Sequence, residues 1–230
     1  MKPTQLNRFL PVAALAGLSL FGTLQAATIV WDFNDNDGVV DANGLSGIGV
    51  TAGPATFTTA GNNTASFDRN RAQRDLGSQQ GSETATFFFT INIPSSTTVS
   101  LTSLSFLQGL DVNSGSVNNN YFKWDLVITT TGSETPGASQ TTFAQSQVGS
   151  NADITFNEAA TLSGLDNLTN VDVTFAFTGH YGTLADYTGG SNTGRWIYLD
   201  NMTFTGEAIP EPSAALLGGI GMLALLRRRR

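Results

Sequence analysis

Cysteine is absent from all 230 residues, and histidine occurs once, as His180. The first absence removes disulfide staples, thiol nucleophiles and thiolate metal ligands. The second leaves no zinc ligand set and no Ser-His pair beyond one residue, and no Gly-x-Ser-x-Gly elbow occurs. His180 sits in a Gly-His-Tyr-Gly context that reads as a loop. Lysine is nearly missing too, with Lys2 and Lys123 alone, and glutamate is scarce. Without those helix formers the expectation of helix falls. No internal repeat occurs, and no Pro-rich stretch divides the middle of the chain. Long apolar runs occur at the two ends.

At the front, Lys2 and Arg8 precede a largely apolar stretch, Phe9 to Leu24, that ends in Gln25-Ala26-Ala27. A positive start, a short apolar core and small residues at the end make residues 1–26 a helical secretory signal peptide, cut after Ala26 or Ala27.

At the back, Pro210 and Pro212 bracket Glu211, so this tripeptide is extended rather than mid-helix. Ser213 to Leu226 is a fourteen-residue run without charge, and Arg227, Arg228, Arg229 and Arg230 follow it. Fourteen residues make about 21 Å of helix, short of the roughly 20 residues of a comfortable span. Snorkelling arginines extend the reach of this transmembrane helix and hold its end on the cytoplasmic side. Gly218, Gly219 and Gly221 weaken the helix, which suits a transient handle.

The order of tripeptide, Gly-rich apolar helix and arginine block closely resembles the PEP-CTERM protein-sorting signal. That resemblance implies an exported protein, held in the membrane by residues 207–230 and recognised at Pro210-Glu211-Pro212 by an exosortase, a membrane processing enzyme. It further implies delivery to the cell envelope or exterior of a bacterium that makes extracellular polysaccharide, the setting of a biofilm matrix. Sorting is what it implies, not the activity of the sorted domain.

Between the two ends lie about 180 residues, enough for one domain with its own core. This part, read as domain 27–206 with a short linker over 206–209, carries five basic and seventeen acidic residues, a net charge of −12. Such a surface repels nucleic acid and anionic lipid and suits divalent cations and neutral sugars. Arg69, Arg71 and Arg74, amid Asp68 and Asp75, read as a solvated loop with local ion pairs.

Alternation predicts strands nearly throughout. Thr84 to Ile93 places Phe87, Phe89, Ile91 and Ile93 on one face and Phe88, Thr90 and Asn92 on the other. Val171, Val173, Phe175 and Phe177 repeat the pattern, and Tyr121 to Thr131 and Ile29 to Phe33 follow it. Weaker strands are expected near 55–59, 141–144, 153–157 and 195–205. Val99, Leu101, Leu104 and Phe106 change phase at Thr102-Ser103, which predicts a bulge. Turn chemistry marks the joints at Asn43-Gly44, Asn62-Asn63, Asn113 to Gly115, Pro136-Gly137 and Gly189-Gly190. Eight or nine short strands with such joints predict an all-β, two-sheet sandwich of the jelly-roll type.

Candidate chemistry is thin. Glu83, Glu134 and Glu158 and the many aspartates offer carboxylate pairs for glycan hydrolysis, without a spacing that selects one. Asp32-Phe33-Asn34-Asp35-Asn36-Asp37-Gly38 crowds oxygen ligands, but its glycine and twelfth residue do not fit an EF-hand. It is either an irregular calcium loop or an Asx-rich turn. In Arg195 to Gly206, Ile197 and Leu199 share one parity and Met202 and Phe204 the other. Either a bulge falls at Asp200-Asn201, or Asp200 points inward and needs a partner or a metal. Tyr-Leu-Asp-Asn-x-x-Phe resembles the last strand of carbohydrate-binding-module jelly rolls. That likeness implies a structural calcium between the first and last strands, with Asp32, Asn34 and Asp200 as its ligands. Sugar contact calls for exposed aromatics, and Tyr181 and Tyr187 in GHYGTLADYTGG are the candidates, with core packing the default for Trp31, Trp124 and Trp196. Thr84 to Gly132 also resembles the sandwich domain found ahead of many PEP-CTERM tails. Three functions follow in order: a non-catalytic, polysaccharide-associated surface protein; a lectin-like module with calcium; a secreted glycan hydrolase or lyase.

Overall fold

Threonine, valine and phenylalanine at alternating positions give the chain its strands. In the computed structural model, residues 26–60, 65–68, 71–75, 84–112, 118–132, 139–150, 154–181, 195–209 and 221 are described. They form thirteen strands: β1 (Ala26–Trp31), β2 (Ala42–Asn43), β3 (Thr51–Ala52), β4 (Thr56–Ala60), β5 (Ala65–Asp68), β6 (Arg71–Asp75), β7 (Thr84–Ile93), β8 (Thr98–Val112), β9 (Asn118–Gly132), β10 (Ser139–Ser150), β11 (Ile154–Thr161), β12 (Val171–Tyr181) and β13 (Arg195–Ile209). Apart from Ala26, which is in β1, and Gly221, the expected signal-peptide helix and the expected helix at 213–226 lie outside the described residues. Among the described residues, no helix is long and apolar enough to cross a membrane.

The first sheet runs β11-β8-β13-β1-β2, with β6 on β13 and β5 on β6. The second runs β10-β9-β12-β7-β3, with β4 on β7. Of the eight long strands, four lie in each sheet, and every connection among them crosses between sheets except β9 to β10. That order is a jelly roll, and every strand pairing is antiparallel.

The inner faces meet in an aromatic core. Trp31 packs edge-on against Phe89 and Phe204 at 5.4 and 5.5 Å, and its Nε1 donates to Gly53 O. Phe177 bridges Phe89 and Phe106 at 5.8 and 5.3 Å. Phe87, Phe89, Ile91 and Ile93 of β7 are buried, as the alternation predicts, and so are Val171, Val173, Phe175 and Phe177 of β12. Each such side chain contributes roughly 1.5–3 kcal/mol on burial, which allows a stable fold without disulfides.

The bulge predicted on β8 is present, and of the two readings left open at Asp200-Asn201 the bulge is the one observed. Thr205 pairs with Ser103 but Gly206 pairs with Leu101, so Thr102 is the extra residue on β8. Asp200 pairs with Leu107 and Thr203 with Ser105, which places a second bulge on β13. There Asn201 takes φ 50°, a left-handed conformation that asparagine tolerates better than most residues. The bulge switches parity, so that Ile197 and Leu199 before it and Met202 and Phe204 after it all face the core.

The structure corrects several sequence readings. Residues 206–209, expected as a linker, are the last four of β13 and stay paired with β8 as far as Ile209 and Thr98. Glu207, Ala208 and Ile209 are all half-buried, so the strand end carries no in-and-out alternation, which hid the strand. The first strand begins at Ala26, one residue inside the expected leader. Arg71 and Arg74, expected in a loop, lie in β6, which pairs with β5 and β13. His180 is in β12, not a loop. The strands near 141–144 and 153–157 are longer than expected, at twelve and eight residues.

Candidate functional site

The outer face of the second sheet carries the chemistry that the core-facing alternation leaves outside. On β9, Lys123 and Asp125 flank buried Trp124 and therefore both point outward. Register brings His180 of β12 opposite Lys123, and Thr142 of β10 opposite Asp125. The only histidine of the chain and the only lysine between its two ends thus meet at one carboxylate. Lys123 Nζ is 2.9 Å and His180 Nε2 3.0 Å from Asp125 Oδ2, and Thr142 Oγ1 donates to Asp125 Oδ1 at 2.7 Å. Burial pushes the Asp125 carboxyl up, but the Thr142 and Lys123 hydrogen bonds and the nearby His180 outweigh it and hold the group below its ordinary value.

A row of side chains crosses five of the sheet's six strands at this level: Thr58, Thr86, Thr178, Asp125 and Thr142. Thr86 and Thr178 share a hydrogen bond at 2.9 Å, Thr90 and Thr174 another at 3.0 Å, and Asn92 donates to Asp172. Between these hydroxyl rungs lies a row with Phe88, Ala176 and Val127 in register, and Phe88 is half-exposed. An aromatic ring set among hydroxyls, beside a lysine, a histidine and a carboxylate, offers an apolar face ringed by directional donors and acceptors. Sugars present matching C–H faces and hydroxyls.

Sequence reasoning sets Phe88 on the outward side of β7 but does not reach the charged cluster. Lys-Trp-Asp shows two outward charges two residues apart; only strand register shows that His180 joins them.

The acid-rich segment after β1 is a turn. Asp32 Oδ1 accepts from Asn34 N at 3.0 Å, Asp37 Oδ1 from Val39 N at 2.9 Å, and Asp41 Oδ2 from Asp32 N at 2.6 Å. Phe33 and Asn36 take φ 56° and 57°. Burial, together with the Asp32 and Asp37 carboxylates, raises the Asp41 carboxyl against the backbone bond from Asp32. Among the described residues, no group of three or more acidic or imidazole side chains is arranged to hold a metal ion. Asp200 is half-exposed on the outward side of β13, at the bulge, where its Oδ1 accepts from Asn201 N at 2.7 Å.

Trp31 and Trp124 are fully buried, and Trp196 is half-buried. Tyr198, outward on β13, is buried instead by lying across Gly109 to meet Thr155 Oγ1 at 2.6 Å. Tyr181, expected in an exposed loop, is the last residue of β12 and pairs with Phe122. Tyr187, the Pro210-Glu211-Pro212 tripeptide and Arg227 to Arg230 lie outside the described residues.

No family model and no curated protein matches the chain. Solved structures do. A carbohydrate-binding module of the β-sandwich superfamily aligns at 14% identity and TM-score 0.37 over 76% of this chain and 60% of its own. The CBM22-1 xylan-binding domain of Paenibacillus barcinonensis Xyn10C aligns at 8% and 0.32 over 83% and 99%. The enzymatically active domain of bacteriophage CBA120 tailspike protein 4 aligns at 10% and 0.33 over 65% of this chain and 19% of its own. At these scores none of them assigns a ligand, a site or a reaction to the chain.

Proposed function

We propose that the chain is an exported, envelope-sorted protein that associates with extracellular polysaccharide through the outer face of its second sheet and performs no chemistry on it. The leader and the tail carry the sorting half of this reading: an exosortase-type enzyme takes the protein at Pro210-Glu211-Pro212 while the helix and Arg227 to Arg230 hold it in the membrane. The observation that supports the other half is Phe88, half-exposed between hydroxyl rungs and one row from the Lys123, Asp125 and His180 cluster. A net charge of −12 between the ends directs this face toward neutral rather than anionic polymers.

Co-sedimentation with the polysaccharide of the producing cell tests the binding half. Phe88→Ala weakens retention by about ten-fold, the loss of one stacking platform, while the melting curve stays cooperative. Retention unchanged by Phe88→Ala removes this face from the reading. Release of reducing ends from the polymer by the purified protein would replace a binding role by a hydrolytic one.

A lectin-like module with structural calcium is the second reading, with Asp32, Asn34 and Asp200 as its ligands. What favours it is the run of oxygen-bearing side chains Asp32, Asn34, Asp35, Asn36 and Asp37 directly after β1. Chelator lowers the melting temperature if calcium is held there, and an identical curve with and without chelator excludes it.

A further inference from the structure

Among the described residues, six strands have a neighbour on one flank only: β2, β5 and β11 in the first sheet, and β3, β4 and β10 in the second. Open edges recruit further strands unless they are short, charged, bulged or interrupted by proline. β2 and β3 have two residues each, and Pro54 closely follows β3. β5 has four and ends in Asp68. β10 carries a register shift between Gln147 and Ser150. β11 turns Glu158 to its core-facing side, opposite Phe106, where Gln108 Nε2 donates to it at 2.7 Å. β4, Thr56-Phe57-Thr58-Thr59-Ala60, has none of these protections. It has no charge and no proline, and its register with β7 is unbroken. All five of its residues are exposed, even Phe57, which packs on Phe87 from the core-facing side and is still 38% exposed.

Hydrogen-bond phase shows what this edge offers. Gly53 N donates to Thr90 O, so even-numbered residues of β7 direct their backbone groups toward β3 and β4. Phe88, Thr86 and Thr84 therefore bond Thr56, Thr58 and Ala60. Phe57 and Thr59 direct N–H and C=O away from β7, the phase in which Ala55 N already donates to Gly38 O.

A second copy of the same strand fits these groups. Antiparallel pairing about a two-fold axis at Thr58 sets Phe57 and Thr59 against the partner's Thr59 and Phe57, each exchanging N–H and C=O. On the outward face Thr58 meets the partner's Thr58, a match that Thr86–Thr178 and Thr90–Thr174 already make within the sheet. Thr58 ends the row that runs from Thr142 through Asp125, Thr178 and Thr86, and the axis continues it. On the inner side the two Phe57 rings become diagonal neighbours, about 7–8 Å apart, and cover one another's exposed edges. Charge favours this strip too. The net −12 between the chain ends repels a second copy, whereas Thr56 to Ala60 and the β7 residues behind them, Thr84 to Phe88, are uncharged.

We propose that β4 is a self-association edge, at which two copies of the chain join their second sheets into one. So short a strand buries less than about 1,200 Å² in all, which makes the dimer transient and weaker than about 1 µM.

Sedimentation velocity of the full chain in mild nonionic detergent, from about 10 µM to about 1 mM, tests this. The native chain shifts from monomer to dimer with concentration, and more readily at high salt, which screens the acidic surfaces. Thr58→Glu places like charges on the axis, and Thr59→Pro removes a donor that serves no bond to β7. Each weakens the dimer by at least about ten-fold at unchanged melting temperature. Thr58→Lys alone does the same, but an equimolar mixture of the Glu and Lys variants recovers the native dimer. A chain monomeric throughout, a dimer that survives Thr58→Glu, or variants that fail to recover on mixing would each overturn the proposal. The second of these outcomes would assign association to the tails or to another face. None of them bears on the polysaccharide reading, which retention measures and mass does not.

Discussion

At the scale of single residues, two positions have sharp consequences. A Cβ on Gly179 would lie 2.8 Å from Trp124 Cζ3 and 2.9 Å from Ile197 Cδ1, so Gly179→Ala overpacks the core. The expected cost is about 1–3 kcal/mol in denaturant unfolding; an unchanged midpoint would show that the indole moves freely. Asp125 has its carboxyl held below the ordinary range by Thr142, Lys123 and His180 against the opposing effect of burial. A group whose folded pKa is depressed adds stability above its unfolded value, near 3.9, and that stability is lost as pH falls through the folded value. Asp125→Asn therefore lowers stability at pH 7 by about 1 kcal/mol after solvent screening. The gap to wild type closes below about pH 4. A gap that stays constant from pH 7 to pH 2, followed by thermal melting, would contradict the ion-pair account.

At the scale of elements, the bulge in β13 lets one strand serve two parities of core residue. Asn201 holds φ 50° there, a conformation costly for a β-branched side chain. Asn201→Val is expected to cost about 1–2 kcal/mol, and Asn201→Gly to be close to neutral; equal losses for both would point to the side chain instead of the backbone. The bulge at Thr102 is legible in the sequence because core strands leave a strict two-residue rhythm that a bulge must break, whereas at Asp200-Asn201 the same broken rhythm left an inward Asp200 open as well. The strands β7 and β12 are legible for the same reason. What stays hidden has a physical cause in each case. The strand character of Gly206 to Ile209 carries no alternation to read. The pairing of β6 with β13 sits in an arginine-rich segment whose composition suggests a loop. The charged cluster depends on register between strands more than fifty residues apart, Lys123 and His180, which no local pattern encodes. The acidic segment at Asp32 was ambiguous between turn and metal loop, and the hydrogen bonds it makes are those of Asx turns.

At the scale of the whole molecule, one end of the first sheet gathers both chain ends of the sandwich, Ala26 and Glu207 being direct partners. The candidate face lies on the outer side of the other sheet, away from that pair. The acidic surface keeps it from anionic lipid. Retention by the polysaccharide of the producing cell is the decisive measurement, made on secreted protein carrying either the native face, Phe88→Ala or Lys123→Ala, with melting temperature as the control. Native protein is expected to be retained and both variants released about ten-fold more readily at matched stability; native protein that is not retained, or variants retained equally well, would contradict the assignment.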